Sequence, residues 1–230
     1  MENIELTAYV LKSARVSDTK WRLSLFSAEK GLLNVVMHCP KNSRLTLGLT
    51  PFIALWFDIL VYPYGYAVRA VEPIDTEQFI KSFSSSNKNT ALFASWYVNE
   101  LILALLPKEE GDLAVYKIYK DTIENLKFSL DKVTIEACLC RFEWGLIKSL
   151  GYINLPRETS PYLFYQFIPA RGLIKSVNGI KGNVLLALEK GDLLAGDMLP
   201  SAKRLTKSLL DFVLDGRVLK AKWGVNALLI

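Results

Sequence analysis

The side chains able to do covalent or metal chemistry in this chain are few and scattered. His38 is the only histidine, and Cys39 adjoins it. Cys138 and Cys140 are two apart in a helical pattern, so they face different directions. A zinc site needs about four convergent ligands, and this set does not offer them. Three cysteines do not make a disulfide framework either, and they read as small buried hydrophobes. A lone histidine on a predicted strand, beside no obvious partner, argues against a Ser-His-Asp or Cys-His device. The chain has no G-x-S-x-G elbow, no phosphate-cradling G-x-x-x-x-G-K-[ST] loop and no dinucleotide fingerprint. Glu109, Glu110 and Asp112 do form a carboxylate cluster, of the kind a two-metal nuclease needs. They precede a predicted helix from Leu113 to Phe128, however, where capping and the positive helix terminus account for them. The chain therefore reads as a protein without an enzymatic centre, cofactor or metal.

Binding has better material. The first third carries Tyr9, Trp21, Phe26, Trp56, Tyr62, Tyr64 and Tyr66, with Arg15, Lys20, Arg22, Lys41, Arg44 and Arg69 among them. Proteins that hold single-stranded nucleic acid combine a basic groove with rings on which bases stack. The same rings are also what a small β-barrel needs to fill its interior, and the sequence does not say which are exposed. The net charge of +5 is unevenly spread, because the last 60 residues hold 10 Lys/Arg against 5 Asp/Glu while the rest is balanced. That asymmetry favours an anionic partner for the C-terminal third; a solvated helix face is the competing reading.

These residues need elements to position them. Ile4, Leu6, Ala8 and Val10 alternate with polar residues, as do Trp21, Leu23 and Leu25. Further runs span Gly31 to His38, Phe52 to Val61 and Tyr66 to Val71, with turn residues at Tyr62-Pro63-Tyr64-Gly65. Five short strands in about 70 residues suit a closed oligonucleotide-binding (OB) barrel, and an SH3-like barrel is the competitor. So small a barrel is marginal alone and is expected to pack on the helical part of the chain.

Beyond the barrel the pattern turns helical. Asp75 to Gln78 resembles a helix start, Ser82 to Asn89 a loop, and Thr90 to Leu106 a helix stopped by Pro107. Another opens at Asp131 and closes at Gly151, a suitable left-handed cap. Its Leu139, Phe142, Leu146 and Leu150 share one predicted buried face, with Arg141, Glu143 and Lys148 pointing away. Residues 153–198 are irregular, with a predicted hairpin from Tyr162 to Ile168 and Gly172 to Ser176 and a short helix from Gly182 to Lys190. Pro200 suits the first turn of a helix through Leu214. Its buried stripe is Ala202, Leu205, Leu209 and Val213, and Lys203 and Lys207 share an exposed edge. A last short helix is expected after Lys220. The fold class is α+β, with a barrel over 1–75 and a mainly helical domain over 76–230. No apolar run approaches a membrane span, and the acidic start is not a signal peptide, so the expected compartment is the cytoplasm, near the nucleoid.

Three segments resemble the RecO family of bacterial DNA repair and recombination mediators. They are Tyr97-Val98-Asn99-Glu100-Leu101, the stretch Arg141 to Tyr152, and Ser201-Ala202-Lys203-Arg204-Leu205 running on through Asp215-Gly216-Arg217-Val218-Leu219-Lys220. Ala8-Tyr9-Val10-Leu11 and Gly172-Leu173-Ile174 fit as well. The resemblance covers essentially the full length. It implies an N-terminal OB barrel, a helical C-terminal domain and no catalysis. It implies binding of single- and double-stranded DNA, annealing of complementary strands, cooperation with RecR, and help for RecA in loading onto DNA coated by the single-strand-binding protein SSB. It also implies docking on the acidic, aromatic-ended C-terminal tail of SSB through the helical domain. Arg141 falls where the family has an arginine implicated in that docking, with Phe142, Lys148 and Arg204 as further candidates. DNA contacts are expected from Arg15, Lys20, Arg22, Lys41, Arg44 and Arg69 on the barrel and from Lys203 and Lys207 beyond it. Two departures stand out. Residues 153–200 lack the four cysteines that hold zinc in many members, which places the chain with the zinc-free ones. The loop from His38 to Thr50 keeps only Lys41 and Arg44 of its usual cations.

Overall fold

The computed structural model describes residues 2–40, 51–74, 88–129, 131–169 and 171–220. Lys41, Arg44, the expected helix start at Asp75 and the expected last helix lie outside them. Five strands come first: β1 (Asn3–Arg15), β2 (Lys20–Ser27), β3 (Gly31–His38), β4 (Ala54–Tyr62) and β5 (Gly65–Pro73). They close in the order β1-β2-β3-β5-β4, with β3 and β5 parallel and β4 closing on β1. This is the OB barrel rather than the SH3-like one. The alternation predicted from sequence supplies its core: Leu6, Ala8 and Val10, Leu23 and Leu25, Val35 and Met37, Phe57 and Ile59 all point inward.

β1 is long enough to serve two neighbours because it bends. Its first half pairs with β4 and its second half with β2, and the register with β2 shifts between Val10 and Lys12. Such a bulge leaves one residue, here Leu11, out of the ladder. The Asn99 amide answers this by donating to the Leu11 carbonyl at 3.0 Å.

The chain divides into two compact units, residues 1–84 with 99–117 and residues 85–98 with 118–230. The division falls within α1 (Lys88–Leu105) and α2 (Leu113–Phe128). In the first unit, Tyr116 lies against Tyr9 and Phe26 at centroid distances of 5.9 and 5.6 Å. The Glu109 amide donates to the Leu32 carbonyl at 2.9 Å. Gly31 and Gly111 allow this close approach of backbones, since a Cβ on Gly111 would stand 2.3 Å from the Glu29 carbonyl oxygen and one on Gly31 2.0 Å from that of Glu110. The carboxylates here have structural tasks. Asp112 caps α2 by accepting from the amides of Ala114 and Val115, and Glu109 accepts from the Tyr66 hydroxyl at 2.9 Å.

The second unit contains α3 (Lys132–Ser149), a sheet of order β7-β6-β8, α4 (Gly182–Lys190) and α5 (Met198–Leu214). β6 (Phe164–Ile168) and β7 (Gly172–Ser176) are the expected hairpin, and β8 (Ile180–Lys181) adds an unforeseen third strand. Asp131 caps α3 through the Thr134 amide at 2.8 Å, an interaction that lowers the aspartate pKa. Gly151, at φ 78°, follows the helix as expected. Leu139, Phe142 and Leu146 are buried, whereas Leu150 is only half-buried. Glu143 does not point away, because it accepts from the buried Tyr97 hydroxyl at 2.7 Å. On α5 the predicted stripe is buried, together with Thr206 and Leu210. Thr206 meets the Cys140 sulfur at 3.9 Å.

Candidate functional site

On α3, Arg141, Lys148 and the surface between them line a cleft of about 430 Å³. The fully buried Phe142 is its floor, joined by Ile118, Gly145 and Leu188. Asn125 and Asn154 add polar rim groups, and Asp121 one negative charge. A second cleft of about 390 Å³ shares Asn125, Cys138 and Arg141, and its wall includes the exposed Phe128 and Leu194. Arg141 thus stands where two partly apolar hollows meet. Its side chain passes close to the end of α4 at Gly191, which is in the left-handed conformation at φ 77°. There is no Cβ to intrude, and one would lie 2.9 Å from the Arg141 Nε.

Glu189, in the last turn of α4, also reaches this place. One of its oxygens accepts from the Trp144 indole at 2.8 Å and the other from the Lys148 ammonium at 2.6 Å. The thiol nearest the cleft is inert. Burial pushes Cys138 up to about 11, with Arg141 pulling the other way, and burial raises Cys140 further. Neither is a thiolate near neutral pH, so neither is poised as nucleophile or ligand. No group of three or more His, Cys, Asp or Glu side chains suited to a metal occurs among the described residues.

Of the four residues expected at a tail site, the structure brings Arg141, Phe142 and Lys148 together. Arg204 lies elsewhere, in a groove of about 810 Å³ between the small sheet and α5, where it donates to the Ser201 hydroxyl at 3.2 Å. Lys203 is paired with Glu136 at 2.9 Å, and Lys207 is exposed on the same helix.

The barrel sorts its candidates just as unevenly. Arg15 folds onto Asp18 at 2.9 Å. Arg69 is paired with the buried Asp58. Lys20 and Arg22 remain exposed on β2, and Lys12 joins them, since the register sets Ala14 opposite Arg22 and Lys12 opposite Ser24. Residues two apart on a strand share a face, so these three cations lie on one side of the β1–β2 ribbon. Lys12 is invisible to a sequence reading because strict alternation from Val10 turns it inward, and the bulge reverses that. The rings divide differently. Tyr9 and Phe26 are buried, and Trp21 and Tyr66 pack against the core. The bond to Glu109, ahead of burial, raises the Tyr66 phenol pKa. Only Tyr62 and Tyr64 of the seven are exposed, with Tyr64 wholly so. They occupy the β4–β5 turn, beside the start of β1, where Val61 donates to the Glu2 carbonyl. Lys20 and Arg22 lie toward the other end of the strands, next to the β1–β2 turn.

No family model matches the chain. Among curated proteins, DNA repair protein RecO of Legionella pneumophila strain Corby is 30% identical over 230 residues, spanning 96% of this chain and 97% of that protein. DNA repair protein RecO of Marinobacter nauticus is 25% identical, spanning 94% and 91%, and that of Aliivibrio salmonicida is 24% identical, spanning 93% and 92%. An OB barrel joined to a helical unit with a cation-rimmed cleft, in a chain with such relatives, defines a DNA repair protein rather than an enzyme. The chain belongs to the RecO family. None of its described helices is long and apolar enough to cross a membrane.

Proposed function

We propose that the protein is a recombination mediator that docks on the C-terminal tail of SSB through the Arg141 cleft and binds and anneals DNA through exposed cations. With RecR it assists RecA in loading onto SSB-coated DNA, in the cytoplasm and without zinc. The observation that supports this reading best is the cleft: two cations flank an apolar floor, which is what an acidic peptide ending in an aromatic residue requires. Charge-assisted hydrogen bonds contribute roughly 1.5–3 kcal/mol each, so two of them and one sheltered ring give a reversible grip. Lys12, Lys20 and Arg22 are the DNA contacts favoured on the barrel, with Lys203 and Lys207 as contributors on α5. Arg204 is proposed as a separate anionic contact in its own groove.

The test is a titration of a fluorescent acidic peptide with a C-terminal phenylalanine, with and without a competing oligonucleotide. The wild-type protein binds it, and Arg141→Glu lowers the affinity more than about tenfold while leaving the fold intact. An unchanged affinity removes Arg141 from the site. A second reading, an adaptor whose barrel never touches DNA, draws on the pairing of Arg15 and Arg69 with carboxylates. Mobility of labelled single-stranded DNA at low and moderate salt separates the two.

A further inference from the structure

Glu189 has no local reason to stand where it does. It lies in the last turn of α4, where the helix carbonyls make a negative charge unfavourable. What holds it is the pair of donors on α3. Trp144 and Lys148 are four residues apart and therefore share a helix face. Their hydrogens end on the two different oxygens of the one carboxylate, at 2.8 and 2.6 Å. This two-pronged arrangement is how a free carboxylate is bound, and here it is filled from within. The Trp144 side chain is almost entirely buried, so its indole N–H cannot be left without an acceptor except at a cost. The fork therefore accepts exchange of one carboxylate for another more readily than it accepts vacancy.

We propose that Trp144 and Lys148 form a carboxylate receptor that Glu189 occupies in the free protein, so that Glu189 is an internal competitor setting how tightly the cleft takes an acidic peptide. The inference rests on the reading of this cleft as a peptide site. In the free state Arg141 is the cation open to a ligand, and Lys148 is committed to Glu189. A peptide carboxylate that replaces Glu189 recruits the second cation and keeps the indole satisfied. Affinity is thereby held down, and the complex stays easy to dissolve.

The experiment compares wild type, Glu189→Gln, Lys148→Met and the double variant against a short fluorescent peptide carrying several aspartates and a C-terminal phenylalanine. Glu189→Gln keeps the shape and an oxygen for the indole but removes the competing charge. It is expected to tighten binding about fivefold at low salt. Lys148→Met is expected to weaken binding less in wild type, where Glu189 already holds Lys148, than in Glu189→Gln, where it abolishes the whole gain. In wild type, the Trp144 indole N–H resonance moves on adding peptide. Unchanged or weaker binding by Glu189→Gln, or an equal loss from Lys148→Met in both backgrounds, overturns the proposal while leaving the peptide site standing. Binding by neither wild type nor Glu189→Gln overturns both.

Discussion

Replacing Gly191 tests how the cleft is built. The residue has φ 77°, where an L side chain costs about 1–2 kcal/mol. For a chain of this size that corresponds to a Tm lower by about 2–8 °C. The new methyl carbon would also lie 2.9 Å from Nε and 3.0 Å from Cζ of Arg141. A guanidinium can swing away more cheaply than backbone can move, so the second effect falls on binding. Losing the set position of one charge-assisted contact, itself roughly 1.5–3 kcal/mol, is expected to weaken an acidic peptide about three- to tenfold. Gly191→Ala should show both effects. Gly191→Asn separates them, because asparagine tolerates the left-handed region while still carrying a Cβ: stability largely returns and affinity does not. Differential scanning fluorimetry and peptide anisotropy on the same three samples read the two quantities. If Gly191→Ala binds peptide as wild type does, the Gly191 backbone does not position Arg141. If Gly191→Asn recovers affinity along with stability, the Cβ is harmless and only strain mattered.

The barrel and the buried ionisable groups give two further expectations. On the barrel, Arg22→Glu should weaken single-stranded DNA binding, whereas Arg15→Ala should change it little, since Asp18 already holds Arg15. With three cations at phosphates the log–log salt slope is about −2, and an Arg15→Ala effect as large as that of Arg22→Glu would refute the assignment. At alkaline pH, burial holds the Cys138 thiol at about 11 against its ordinary 9.0, and burial, then Glu143, raises the Tyr97 phenol well above its usual range. Both groups keep protons in the fold that the unfolded chain releases earlier. Their stabilising effect is complete below about pH 9 and is lost as pH rises through the folded values. Tm should fall from about pH 9 to 11, less steeply in Cys138→Ala; an identical descent in that variant would show that the thiol plays no part.

What is legible in the sequence is whatever repeats at short range. Alternation locates the strands, and the Asp131 cap with Gly151 locates α3, because those signals lie within one element. β8, at two residues, is too short to carry a pattern. Lys12 is hidden by a bulge that no propensity announces. Glu143 looks like a surface acid until Tyr97 meets it from a different helix. The seven aromatic residues of the first third cannot be sorted by pattern, since Tyr9 and Phe26 are covered by Tyr116, which follows them by 107 and 90 positions. For the cleft, Arg141, Phe142 and Lys148 sit close together in the chain and can be picked out as a group. Glu189 and Gly191, which tune and support them, come from an element some forty residues away.

The bond from Asn99 to the Leu11 carbonyl joins residues 88 positions apart. During synthesis all five strands leave the ribosome well before that amide does, and before Tyr116 arrives to shelter Tyr9 and Phe26. The nascent sheet must therefore wait, with one kinked backbone oxygen and two ring surfaces unprovided for, until later residues emerge. Long-range closures of this kind slow folding and prolong exposure to unwanted association. A fragment ending after β5 should accordingly be a poor stand-in for the barrel of the full chain.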